Sequence, residues 1–167
     1  MNQDSALLCK QCGARAMRPR ARPGRTTRYR NMAALAIPDD FPIPTCSRCR
    51  TEQLDAETRA ALATVLHEEY RSALRIRVRR AIDTLSQHIS QRRLEMLLGL
   101  SQGYLSRLRS GAGNPSPELV SNLVLIAKDP KVRLLELERY WAEPTLDSDG
   151  SRDQADDEAA EAAASHE

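Results

Sequence analysis

Residues 90–111, SQRRLEMLLGLSQGYLSRLRSG, carry start and stop signals for two short helices. Ser90 can cap a helix that runs to Leu98, and Gly99 supplies the left-handed residue that ends it. Ser101 is predicted to cap a second helix, which ends at Gly111. Leucines on both helices and in the angle between them form a shared apolar seam: Leu94, Leu97, Leu98, Leu100, Leu105 and Leu108. Two short helices joined by a glycine-containing turn predict a helix-turn-helix over residues 90–109.

The outward face of the second helix carries no large apolar residue, which favours contact with DNA over packing. At about 100° per residue, Leu105 and Leu108 point inward. The outward positions are Gly103, Ser106, Arg107 and Ser110, with Gln102 at the exposed N-terminal end. The start of such a helix enters the major groove, where Gln can read adenine and Arg can read guanine. The alternative is that Gln102 and Ser106 are solvated and that Arg107 pairs with an acidic neighbour.

The other predicted contacts reach the DNA backbone. Gln91 and Ser101 stand at helix N-termini, where backbone N–H groups and the helix dipole help to bind phosphate. Arg109 and Asn114 could hold the flanking backbone. Gly103 costs about 1 kcal/mol inside a helix, so it either allows close approach to the DNA or is merely tolerated. The predicted DNA-binding residues are Gln91, Ser101, Gln102, Gly103, Ser106, Arg107, Arg109 and Asn114.

Two more helices are predicted after the motif. Ser116 followed by Pro117, and Asp129 followed by Pro130, each combine an N-cap with proline at the first helical position. The inner face of the first is predicted to hold Leu119, Leu123 and Ile126, and the second carries an apolar stripe of Leu134, Leu137 and Trp141. This stripe either closes the core or forms a dimer interface, and the core is favoured because Trp is mostly buried.

Residues 55–85 read as helix throughout, because they contain neither Gly nor Pro. Apolar residues recur every four positions along one face: Leu62, Leu66, Tyr70, Leu74, Val78 and Ile82. The pattern fits one continuous helix or two. Five arginines crowd the middle, and they form either a solvated face or contacts to the DNA backbone: Arg71, Arg75, Arg77, Arg79 and Arg80.

All four cysteines of the chain lie in two CxxC pairs, Cys9/Cys12 and Cys46/Cys49, which 33 residues separate. In a cytoplasmic protein this spacing favours a metal over disulfides. Four thiolates complete a tetrahedron around one Zn²⁺ and leave no open position for a substrate, so we predict a single structural zinc. An iron–sulfur cluster is the alternative. Residues 1–50 hold five prolines and few large apolar residues, so the metal is expected to staple short strands together, and chelation to unfold them.

Basic and acidic side chains are unevenly distributed along the chain. Residues 1–50 carry ten Lys or Arg against three Asp, and residues 51–142 carry fourteen basic against eleven acidic side chains. Residues 143–167 carry nine Asp or Glu against Arg152 alone, and we read them as a disordered tail. A basic body with an acidic end is typical of a nucleic-acid binder. No apolar run approaches a membrane span and we see no secretory signal, so we expect a cytoplasmic protein.

Residues 90–128, SQRRLEMLLGLSQGYLSRLRSGAGNPSPELVSNLVLIAK, resemble the Xre/Cro-type helix-turn-helix. The CxxC pairs, IPTCSRC (43–49) and LDAETRAALATVLHEEYRSAL (54–74) look like the MqsA-type antitoxins with their YgiT-type zinc finger. The resemblance covers about residues 7–140. It implies a homodimer that binds a palindromic operator, represses its own operon and binds a small ribonuclease toxin through the zinc module. The family reads bases with an Asn and an Arg; Arg107 matches the Arg, whereas Gly103 replaces the Asn.

We therefore expect a mainly α protein in four parts. They are a zinc-stapled module with short β-strands (1–52), a linker helix (53–71), a five-helix Xre/Cro-type helix-turn-helix domain (72–142) and a disordered acidic tail (143–167). The predicted function is a DNA-binding transcriptional repressor of a type II toxin–antitoxin system. The alternatives are a stand-alone phage or mobile-element regulator and a zinc-stapled adaptor for protein partners. We do not expect an enzyme, because no reactive cluster stands near a glycine loop or an open metal site.

Overall fold

The computed structural model describes residues 8–143, and the predicted tail lies almost wholly outside them. Within these residues, four short strands precede five helices, which confirms the predicted mainly α fold with short N-terminal strands. The strands are β1 (Met17–Arg20), β2 (Thr26–Tyr29), β3 (Met32–Ala36) and β4 (Ile43–Cys46). The helices are α1 (Ala56–Leu85), α2 (Gln91–Leu97), α3 (Tyr104–Ser110), α4 (Pro117–Lys128) and α5 (Pro130–Ala142).

The strands form two separate antiparallel pairs. In the first, β1 lies beside β4, with Met17 opposite Cys46 and Arg20 opposite Ile43. In the second, β2 and β3 form a hairpin that turns at Arg30 and Asn31, where Arg30 adopts a positive φ of 50°. Of the four cysteines, only Cys46 lies in the first sheet, at the end of β4. The main core takes Ile43 from this sheet and Met32 and Leu35 from the hairpin.

α1 is one uninterrupted helix of 30 residues, so the alternative of two separate helices is excluded. Asp55 caps it by accepting from the backbone N–H of Thr58 at 2.7 Å. All six apolar positions of the predicted stripe are buried, and they contact both ends of the molecule. Met32 and Leu35 of the hairpin belong to the same core as Leu105 of α3 and Leu123 of α4. The N-terminal module is therefore packed onto the helix and shares its core with the C-terminal helices.

Three of the predicted helix starts are confirmed. The side chain of Ser90 accepts from Arg93 N, that of Ser116 from Leu119 N, and that of Asp129 from Val132 N. Gly99 has a φ of 63° and ends α2 as predicted, since Gly99 N donates to Met96 O and Leu100 N donates to Glu95 O.

The prediction that Ser101 caps α3 is wrong. The helix begins at Tyr104, and Gly103 occupies the cap position with a φ of 76°. Gly103 therefore lies outside the helix. Glycine suits this position because other residues rarely adopt its left-handed backbone conformation. The cost that we assigned to a glycine inside the helix does not apply.

The apolar stripe of α5 only partly closes the core. Leu134 is buried, whereas Trp141 is 63% exposed. Its indole Nε1 nevertheless donates to Leu97 O at 2.9 Å, which ties the end of α5 to α2. The expectation that Trp141 joins the core is wrong, because the indole lies at the surface, where its ring contacts the Tyr140 ring at a centroid distance of 5.2 Å. Within the described part of the chain, no helix is both long and apolar enough to cross a membrane.

Candidate metal centre and nucleic-acid interface

The two CxxC pairs meet in space. Cys9 Sγ lies 3.5 Å from Cys49 Sγ, and Cys12 Sγ lies 3.7 Å from Cys46 Sγ. All four sulfurs lie within 4.8 Å of one another. Zn–S bonds of 2.3 Å in a tetrahedron place the sulfurs about 3.8 Å apart, which these separations approach. A disulfide needs about 2.05 Å, and all four cysteines are free.

Each pair is held by the same local turn, which explains how residues far apart in sequence form one cluster. Gly13 N donates to Cys9 O and Arg50 N donates to Cys46 O, and both donors have a positive φ. Cys9 N donates to Ala14 O, and Cys46 N donates to Thr51 O. The second pair begins in a strand, because Cys46 is the last residue of β4. The four cysteines form a site that can hold a metal ion such as zinc.

Hydrogen bonds prepare one of these thiols for metal binding. The Thr51 hydroxyl lies 3.3 Å from Cys49 Sγ, and this hydroxyl and the Thr51 backbone N–H lower the pKa of Cys49 to about 6. The backbone N–H of Ala14 lowers the pKa of Cys12, yet burial and the neighbouring thiols outweigh it and raise that pKa to about 11. A cation in the cluster would favour the thiolate of every ligand.

The second candidate site is the exposed surface around α3. Leu105 and Leu108 are buried, and Ser106, Arg107 and Ser110 are exposed on the opposite side of the helix. Ser101 and Gln102 are exposed in the turn before it. The predicted base-reading residues are thus all exposed, Gln102 in the turn before α3 and Ser106 and Arg107 on the side of α3 opposite its buried leucines.

Arg107 has no carboxylate partner in the described part of the chain. Its guanidinium lies 5.7 Å from the centroid of the Tyr104 ring, while Tyr104 itself packs partly buried against the core. A Cβ built at Gly103 would lie 3.7 Å from Arg107 Nη1, so the two residues are neighbours. The pairing with an acidic side chain that we considered for Arg107 is not observed.

The residues predicted to contact the DNA backbone differ in exposure and in their partners within the chain. Arg109 forms an ion pair with Asp83 of α1, with Nε and Oδ1 2.9 Å apart. Gln91 is half-buried, and its Nε2 donates to Glu95 Oε1 at 3.0 Å. Asn114 is exposed in the loop between α3 and α4.

Four of the α1 arginines divide into two with partners in the chain and two that line an open groove. Arg79 donates from Nε to Arg109 O at 3.1 Å and so ties α1 to the last turn of α3. Arg71 pairs with Glu68 at 3.2 Å. Arg77 and Arg80 are exposed, and with Lys128 they line an open groove between α1 and α4.

Glu95 is a buried polar residue of this region that was not among the residues predicted from the sequence. It is only 2% exposed and accepts from three donors at the junction of α2 and α3. One signal for it exists: Glu95 lies four residues after Gln91 and three before Leu98, on the face of α2 that turns toward the seam.

Residues 78–137 match the helix-turn-helix family. The match covers 60 of the 167 residues and begins inside α1, so it identifies a domain and leaves the cysteine module outside it. No curated protein and no solved structure matches the chain. Helix-turn-helix domains bind DNA, so the match supports the interpretation of this protein as a DNA-binding regulator.

Proposed function

We propose that this protein is a sequence-specific transcriptional repressor that places α3 in the major groove of double-stranded DNA. The observation that carries the proposal is the division of α3 into a buried leucine side and an exposed polar side, within a matched helix-turn-helix domain. Gln102, Ser106 and Arg107 read base edges, with Gln suited to adenine and Arg to guanine. Gly103 has no side chain and lets this surface approach the DNA closely.

The flanking contacts go to phosphates. Ser101 before α3 and Asn114 after it are exposed on either side of the base-reading residues. Gln91 and Arg109 keep contacts within the domain and have further N–H groups to donate, so both can bind phosphate without leaving their present partners.

The proposed division of the chain places a zinc module at 1–52, a linker at 53–71, the DNA-binding domain at 72–142 and an acidic tail at 143–167. The linker and the first helix of the DNA-binding domain are then two parts of the continuous α1. One structural Zn²⁺ is held by Cys9, Cys12, Cys46 and Cys49, supported by the sulfur separations. A homodimer reading a palindromic operator is the assembly that the resemblance implies.

The more particular proposal is that the protein is an antitoxin, which represses its own operon and neutralises a small ribonuclease through the zinc module. It rests on the order of parts that resembles the MqsA-type antitoxins. If the antitoxin proposal holds, a small basic open reading frame next to this gene encodes a chain that co-purifies with the protein. A neighbour that does not bind, or the absence of one, leaves a stand-alone regulator.

Binding to the DNA upstream of its own gene tests the regulator directly. Fluorescence anisotropy at a fixed salt concentration compares that duplex with a scrambled duplex of the same length and composition. We expect the native duplex to bind at least about 10³-fold more tightly, the lower end of specific recognition. Equal affinity for both duplexes would contradict sequence-specific repression of this promoter.

A further inference from the structure

Glu95 is a buried carboxylate whose partners are all N–H donors. Its Oε1 accepts from Leu105 N at 2.9 Å and from Gln91 Nε2 at 3.0 Å, and its Oε2 accepts from Gly103 N at 3.0 Å. No cationic side chain in residues 8–143 pairs with it. A buried charge without an opposite charge is stable only when hydrogen bonds satisfy it, and these three bonds do so.

These bonds replace a local helix cap. The first N–H groups of any helix lack partners within the helix, and the residue before it normally supplies an acceptor. Here that residue is Gly103, which has no side chain and makes no cap hydrogen bond of this kind. Glu95 supplies the acceptor from α2 instead, and its negative charge also suits the positive end of the α3 dipole.

We propose that Glu95 is a positioning residue for DNA recognition, which fixes the start of α3 against α2 and thereby sets where Gln102, Ser106 and Arg107 meet the bases. The inference rests on the proposed function of α3. Gln91 shares the same carboxylate oxygen as Leu105 N, so a phosphate contact by Gln91 is mechanically linked to the orientation of α3.

The variant Glu95→Gln separates this role from simple packing. Gln has almost the same shape, but its amide nitrogen cannot accept, so the N–H of Gly103 or of Leu105 loses its partner. The start of α3 then samples other orientations. We expect affinity for the operator to fall about tenfold or more, because base contacts depend on placement, while affinity for scrambled DNA is unchanged.

The control is Glu136→Gln, which removes one negative charge from an exposed residue of α5 that pairs with Arg133 at 2.8 Å. Full-length wild type, Glu95→Gln, Glu95→Asp and Glu136→Gln are compared on the operator and on a scrambled duplex. Amide hydrogen exchange of Gly103 and Leu105 is measured in the same proteins without DNA. We expect faster exchange at these two amides in both Glu95 variants and a reduced ratio of specific to non-specific affinity, with Glu136→Gln like wild type.

The outcomes separate the two proposals. If wild type itself does not distinguish operator from scrambled DNA, the proposed function fails, whatever the exchange data show. If wild type discriminates and both Glu95 variants keep the full ratio, the positioning role is overturned. If both variants lose their helical circular dichroism, Glu95 is needed for folding as a whole and a separate role in positioning is likewise overturned.

Discussion

At the scale of single residues, adjacent positions of α3 differ in polarity because they lie on opposite sides of the helix. Leu105 is fully buried, and its neighbour Ser106 is exposed. This alternation could be predicted from the sequence, since helical periodicity alone assigns each position to a side. The role of Glu95 could not, because its partners at Gly103 and Leu105 become neighbours only when two helices pack.

Truncation of a buried side chain tests whether α3 packs against the core through its leucines. We expect Leu105→Ala to lower the free energy of unfolding by about 2–5 kcal/mol, because it removes a fully buried side chain and leaves a cavity. Ser106→Ala is the matched control and should change that free energy by less than about 0.5 kcal/mol. Urea denaturation of both variants measures the difference. Similar values for the two would mean that α3 does not pack through Leu105.

Truncation of the exposed side tests base reading. We expect Arg107→Ala to weaken operator binding by about 1–3 kcal/mol and to relax the preference at one base pair. Affinity for a panel of operators, each altered at one position, measures both effects. Arg133→Ala on α5 is the control for the loss of one positive charge. A loss that is equal for every DNA sequence would make Arg107 a phosphate contact instead.

At the scale of elements, helix starts were predictable where the cap lies beside the helix in sequence. Ser90, Ser116 and Asp129 all cap as their sequence context indicates. The start of α3 was predicted two residues too early, because the acceptor for its first N–H groups comes from another helix. The two short sheets differ in the same way: the hairpin joins neighbouring strands, whereas β1 pairs with β4 across 22 intervening residues.

The Met17–Cys46 end of the first sheet and the hairpin pack in different clusters, which changes the expected result of metal removal. Cys9, Met17 and Cys46 form a small buried cluster of their own, whereas Met32 and Leu35 of the hairpin are buried in the main core. Tyr70 also donates its hydroxyl to Asn31 Oδ1 at 2.9 Å and so holds the hairpin tip on α1.

We therefore expect a chelator to speed amide exchange around the cysteines and at the Met17–Cys46 end of the first sheet, while the hairpin remains protected. Exchange measured by mass spectrometry before chelation, after it and after zinc is restored follows the change. Loss of protection across all of residues 8–50 would support the simpler expectation that the metal holds the whole module. No change at either sheet would show that the cysteines are not a structural metal site.

At the scale of the whole molecule, one apolar core runs from the hairpin along α1 to Leu134 of α5. The buried stripe of α1 was predictable, but its partners were not, because periodicity shows which side is apolar and not what covers it. Trp141 illustrates the limit: its residue type favours burial, yet the helix that carries it ends at the surface.

The basic surface of α1 is the second property at this scale. Arg71 and Arg79 have partners within the chain, so Arg77 and Arg80 are the better candidates for contact with phosphates. If both bind phosphate, replacing both with Ala should flatten the dependence of log K on log salt by about 1.8. Replacing Arg133 and Arg139 of α5 is the control. An unchanged slope would leave Arg77 and Arg80 as solvated side chains.

Protection of guanine N7 from methylation shows whether α3 reads bases from the major groove, because N7 faces that groove. On the native promoter, we expect protected guanines in two half-sites about one helical turn apart, and loss of protection at one guanine in each half-site with Arg107→Ala. Binding that leaves every guanine N7 as reactive as in free DNA would contradict base reading by α3.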